Sequence, residues 1–221
     1  MQCLPMGSYP AEVVASALPG LPDWRVIVRH LRTRYQTGNF SAGLELVNRV
    51  AEIAEAANHH PDVELGYGWV EFCLFSHDVG ELTSRDVDLA KRISAIAADL
   101  GIPADPAAVS RLELALDTHD AEQILPFWQA VLRMEPHPSL PMELVDPSGH
   151  LPNLWFQQCP PHGVPDQRFH LDLWVPGDEV TSRISAGVAA GGVIISTEQA
   201  PDFTVLADLQ GNKVCVCTVP N

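Results

Sequence analysis

Three histidines stand at spacings that suit proton transfer. His59 and His60 are adjacent, Glu55 lies one helical turn before them, Pro61 follows directly, and His77 and Asp86 come further along. Imidazole titrates near neutrality, with an unperturbed pKa of ~6.5, and a well-placed acid or base is typically worth ~10²- to 10⁴-fold in rate. Three imidazoles are also the raw material of a divalent-metal site, but the adjacency of His59 and His60 makes it awkward for both to face one ion, so acid–base use is preferred. Taken singly, a histidine at a helix end is more often a dipole partner or a surface group. Asp86 has a second expected duty, since Thr83-Ser-Arg-Asp86 has the spacing of a capping box.

Local elements must bring these residues to one place. Phe40, Leu44, Val47, Val50 and Ala54 recur at three- and four-residue steps and predict a helix over residues 41–58, with Ser41 as N-cap. Pro61 disfavours helical backbone at His60 and stops it there. Residues 68–75 are aromatic and β-branched, a buried strand that delivers His77 at its far end. Residues 8–18 predict a first short helix, and residues 24–35 a strand with its hairpin partner. A last helix runs from Thr83 to Gly101 on Val87, Ala90, Ile93, Ala97 and Leu100. The sum is an α+β domain over residues 1–102.

The run Glu55, three residues, His59-His60-Pro61, five residues, Tyr67, nine residues, His77, eight residues, Asp86 resembles the signature of the pterin-4a-carbinolamine dehydratases, a likeness that covers residues 8–102. The resemblance implies helices packed on an antiparallel four-stranded sheet. It implies dehydration of a 4a-hydroxytetrahydropterin to the quinonoid dihydropterin, a hydro-lyase reaction that needs no metal or organic cofactor. His59 and His77 are the implied acid–base pair, with the assignment of acid and base open, and His60 is the implied pterin holder. Glu55 is expected to orient His59, Trp24 to wall the flat pterin, and Tyr67 and Phe72 to sit in the core. The family implies a homodimer or homotetramer. Two rival readings are a non-catalytic binding or dimerisation module and a dehydratase for a different carbinolamine-like substrate.

The chain has 221 residues and a formal net charge of −15, with 8 Lys/Arg against 13 Asp/Glu in residues 1–102 and 5 against 15 in residues 103–221. Both halves would repel phosphate backbones and anionic lipid, which argues against nucleic acid and membrane as partners. Five scattered cysteines without a CxxC, no signal-peptide pattern and no long apolar run point to buried thiols in a reducing cytoplasm.

Residues 103–110 are Pro- and Ala-rich and read as a linker to a second domain over residues 111–221. There the order strand, helix, strand, strand occurs twice, with strands at 111–117, 141–146, 154–158, 168–174, 193–196, 203–207 and 214–218 and helices over 120–132 and 178–190, which predicts an internal duplication. Residues 168–173, Gly191-Gly192 and residues 205–215 resemble the glyoxalase-like members of the vicinal-oxygen-chelate superfamily, implying paired βαβββ modules. Aligning the two repeats sets Glu113 against His170 and Leu154 against Lys213. Leucine offers no ligand and lysine is a cation, so those paired positions make a poor metal site. An ion pair of Lys213 with Glu113 or Asp172 is expected instead, in a domain that binds a small molecule or serves assembly.

Overall fold

The computed structural model describes residues 12–122, 125, 129, 134–138, 140–161, 169–189, 191–207 and 213–219. It divides into two compact units with the boundary between Val109 and Ser110. Among the described residues no helix is long and apolar enough to cross a membrane.

The first unit runs α1 (Glu12–Ala17), β1 (Arg25–Ile27), β2 (His30–Gln36), α2 (Phe40–Ala57), β3 (Asp62–Leu65), β4 (Trp69–Leu74) and α3 (Ser84–Asp99). Its four strands form an antiparallel sheet in the order β1-β2-β4-β3. β1 and β2 form the expected hairpin around Val28 and Arg29, both at positive φ (45° and 63°). Two such residues match the strand twist in a two-residue turn, although a β-branched residue there is strained. Leu31, Thr33 and Tyr35 of β2 and Val70, Phe72 and Leu74 of β4 alternate into the core, and Val87, Leu89, Ala90, Ile93 and Ala97 of α3 are buried as well.

Two expectations for α2 are corrected. Its cap is Asn39, whose side chain accepts from Ala42 N at 2.9 Å, and not Ser41. Its buried stripe is Gly43, Leu46, Val50 and Ala54, while Phe40 and Leu44 are 49% and 45% exposed. The helix turns this face inward because Gly43, lacking a Cβ, allows close approach to Leu65 and Val70. Of the Pro/Ala stretch, Pro103 and Asp105 exchange backbone hydrogen bonds with β2: Gln36 N donates to Pro103 O at 2.9 Å and Asp105 N to Arg34 O at 2.7 Å.

The second unit holds β5 (Arg111–Thr118), β6 (Glu135–His137), β7 (Leu140–Val145), β8 (Leu154–Gln158), β9 (Phe169–Trp174), α4 (Val180–Ala189), β10 (Val193–Ser196), β11 (Phe203–Ala207) and β12 (Lys213–Cys217). They make one eight-stranded sheet, β10-β11-β12-β9-β5-β8-β7-β6. Read outward from the antiparallel β5–β9 pair, both halves have one order: a parallel neighbour, β8 or β12, and then two antiparallel strands. This is the duplication expected from sequence. The helix expected over residues 120–132 lies largely outside the described residues, as do Arg168 and residues 208–212. One face of the sheet is apolar, with Leu116, Leu144, Leu154 and Phe156 packed in one cluster and Val175, Leu206 and Val216 in another.

Candidate active site

The end of α2 sets the position of His59. Asn58 takes left-handed backbone (φ 47°, ψ 42°) as C-cap, so the helix ends before Pro61 is reached. His59 N then closes back on Ala54 O at 3.1 Å, fixing the backbone that carries its ring. Asparagine is one of the few residues that tolerates this conformation, which makes Asn58 part of the positioning machinery.

The ring finds its partner on α3. His59 Nε2 lies 2.8 Å from Asp86 Oδ1. Oδ2 of the same carboxylate accepts from Thr83 N at 2.7 Å and from Ser76 Oγ at 2.7 Å. The capping box is therefore formed, and its acidic member also holds the histidine. Asp86 is fully buried, and its charge lies against the open N–H groups of the first turn of α3, which favour an anion. With donors from Thr83 and Ser76 already on it, the carboxylate acts as acceptor towards His59, so Nε2 carries a proton, and in the neutral ring the lone pair is on Nδ1.

Ser76 ties this cluster to His77, its neighbour in the chain. Ser76 bridges to Glu81, and its carbonyl accepts from Gly80 N at 2.9 Å, closing a turn in which His77 is exposed. His77 is thus delivered by a turn just beyond β4 and not by the strand itself.

Glu55 does not orient His59. Its Oε1 lies 3.3 Å from Nε2 of His60, and both side chains are exposed, at 79% and 51%. A pair so open to water has little energetic weight. Trp24 is also relocated. It is 1% exposed and donates its indole N–H to Ser94 Oγ of α3 at 3.0 Å, so it is core and not a wall for a ligand. Phe72 is core as expected, but Tyr67 is 79% exposed.

Sequence spacing missed His30. The β2–β4 register sets Leu31 against Leu74, which carries His30 beside Phe75, with ring centroids 4.6 Å apart. Phe75 in turn meets His77 edge-on at 5.4 Å. His30 Nδ1 lies 2.6 Å from Val28 O, and since a carbonyl only accepts, Nδ1 bears the proton. Burial, and then the Arg32 charge, lower the His30 pKa to about 4, so its ring is neutral at neutral pH. The signal that finds it is the hairpin register, which needs the strand pairing to be known.

In the second unit the strand register sets Glu113 against Asp172 and His170 against Ala115. Leu154 is buried in the apolar core and Lys213 is exposed at the start of β12. The buried position on β12 that lies beside Asp172 belongs to Cys215.

A family model described as Pterin 4 alpha carbinolamine dehydratase matches residues 8–96, and one described as Glyoxalase-like domain matches residues 113–217. A Nocardia farcinica relative, which carries a provisional pterin-4-alpha-carbinolamine dehydratase name, is 44% identical over 86 residues, 39% of this chain and 90% of that protein. Among solved structures, a transcriptional coactivator/pterin dehydratase from Brucella melitensis is 24% identical with a TM-score of 0.39, over 41% of this chain and 99% of that one. A glyoxalase/bleomycin resistance protein/dioxygenase superfamily member from Vibrio splendidus 12B01 is 13% identical with a TM-score of 0.35, over 50% of this chain and 100% of that one.

Proposed function

The chain belongs to the pterin-4a-carbinolamine dehydratase family, and from that premise we propose that its first unit removes water from a 4a-hydroxytetrahydropterin by histidine acid–base catalysis. Hydroxide is a poor leaving group from a tetrahedral carbon. An acid must therefore protonate the departing oxygen as the C4a–O bond breaks, while a base takes the ring N–H proton. The electron pair of that N–H bond becomes the new C=N bond, and water and the quinonoid dihydropterin leave.

The observation that carries the reading is the 2.8 Å contact between His59 and Asp86. It leaves Nδ1 of His59 as the proton acceptor, and the adjacent carboxylate stabilises the imidazolium formed when that proton arrives. His59 is accordingly the base in this proposal and the exposed His77 the acid. His60, exposed beside Glu55, holds the pterin. Assembly as a dimer or tetramer and a cytoplasmic location belong to the same proposal.

The test is the dehydration rate at neutral pH for the wild type, His59→Ala and His77→Ala. A drop of at least ~10²-fold in each folded variant supports the pair. A folded wild type with no rate above the uncatalysed background defeats the proposal.

A further inference from the structure

We propose that His30 is a positioning residue for the dehydration: its ring, acting through Phe75, holds the ring of His77 in the orientation from which His77 gives up its proton. The inference rests on the dehydratase reading above and adds to it a residue outside the histidine signature. His30 stands at the start of β2, paired with Ile27 across the two-residue turn. By alternation with the buried Leu31, its side chain leaves the sheet on the face away from the core. Phe75, one residue past Leu74, reaches the same face, because the register sets Leu31 against Leu74. The His30 and Phe75 rings lie 4.6 Å apart with 31° between their planes, and Phe75 meets His77 at 5.4 Å and 76°. Both distances are ones at which aromatic rings attract, and the edge-to-face arrangement of the second pair is a favoured one.

His77 needs such a hold. It is exposed, it sits in a turn, and among the described residues no hydrogen bond restrains its ring. An exposed side chain samples its rotamers within nanoseconds, and a reacting group misplaced by ~1 Å can lose ~10²-fold in rate. Ser76, whose hydroxyl donates to Asp86 Oδ2 at 2.7 Å, fixes the backbone of the turn and leaves the side-chain torsions of His77 to whatever its ring touches. The support runs back to the hairpin. His30 donates its Nδ1–H to Val28 O at 2.6 Å, which pins the first ring of the row to the main chain. That ring is also neutral: burial first, then Arg32, and to a lesser degree Arg29 and His77, lower its pKa. A neutral support suits an acid, because a second positive charge beside His77 would drive its proton off.

The experiment joins dehydration kinetics of the full chain to NMR of a histidine-labelled sample. His30→Gln keeps a donor for Val28 O and loses the ring, while His30→Phe keeps a ring and loses the donor. The expected result is a kcat ~10-fold lower in folded His30→Gln with KM within ~2-fold, and recovery to within ~3-fold of wild type in His30→Phe. The Hα–Hβ couplings of His77 should report one χ1 rotamer in the wild type and an average over rotamers in His30→Gln. A wild-type kcat in His30→Gln, a folded His30→Phe as slow as His30→Gln, or couplings already averaged in the wild type overturn the inference. The coupling measurement on the wild type needs neither turnover nor a variant that folds. A wild type with one His77 rotamer and no rate therefore defeats the dehydratase reading alone, and loss of that rotamer in His30→Gln still supports the hold on the ring.

Discussion

Nε2 of His59 lies 2.8 Å from Oδ1 of Asp86, and both side chains are withdrawn from water. The same carboxylate closes the N-terminal cap of α3, so one residue starts a helix and sets the tautomer of an imidazole. Asp86→Asn separates the duties. The amide oxygen still accepts from Thr83, but its N–H₂ group faces His59 and forces Nε2 to become the acceptor, moving the proton to Nδ1. The expected outcome is a kcat lower by ~10²-fold or more with a stability loss of about 1 kcal/mol. Thr83→Ala, measured alongside, should cost about 1 kcal/mol with the rate kept within a few fold. Equal rate losses in both variants would make Asp86 a purely structural residue.

Asn58 offers a test that leaves the side chains of the site untouched. Its φ of 47° suits glycine and penalises alanine. Asn58→Gly should unfold within a few tenths of a kcal/mol of wild type, while Asn58→Ala should lose roughly 1 kcal/mol. Thermal melts of the pair decide this, and an alanine variant as stable as the glycine one would contradict the left-handed cap.

Trp24 is predicted to matter for stability and not for substrate. Trp24→Phe loses the hydrogen bond to Ser94 and leaves a small void, which together should cost about 1–2 kcal/mol. KM for the pterin should not move. A KM raised ~10-fold in a variant of unchanged melting temperature would restore the ligand-wall role.

His30 predicts a slope in stability with pH. Its folded pKa, about 4, is below the unfolded value of 6.5. Between those values the unfolded chain binds more protons, so stability is full above pH ~6.5 and falls as pH drops towards ~4. The loss assignable to His30 is on the order of 2 kcal/mol, allowing for partial solvent screening of the half-buried ring. The urea midpoint should fall less between pH ~7.5 and ~5 in His30→Gln than in wild type. Equal falls in the two proteins would contradict the neutral ring.

What could be read from the chain was local. The capping box at Thr83–Asp86, the hairpin of residues 24–35 and the repeated strand order of the second unit follow from short-range spacing, and the described residues have all three. What could not be read depends on which element lies beside which. The sequence places Glu55 one turn from His59, yet the ring turns to Asp86, which belongs to another helix. Val50 and Ala54 lie on the buried stripe of α2 as expected, but Phe40 and Leu44 face outward, because a glycine, invisible to a hydrophobicity count, marks the contact face. That Cys215 lies beside Asp172 follows only once β12 is known to run parallel to β9.

The short run from Pro103 to Asp105 has a practical corollary. β1 reaches only as far as Arg32 along β2, and beyond it Arg34, Tyr35 and Gln36 are covered by this run. A gene shortened at the end of α3 would strip that cover and bare a strand border open to intermolecular pairing. The smallest fragment worth expressing by itself therefore ends at Val109. A fragment stopped at Gly101 should be the one that precipitates.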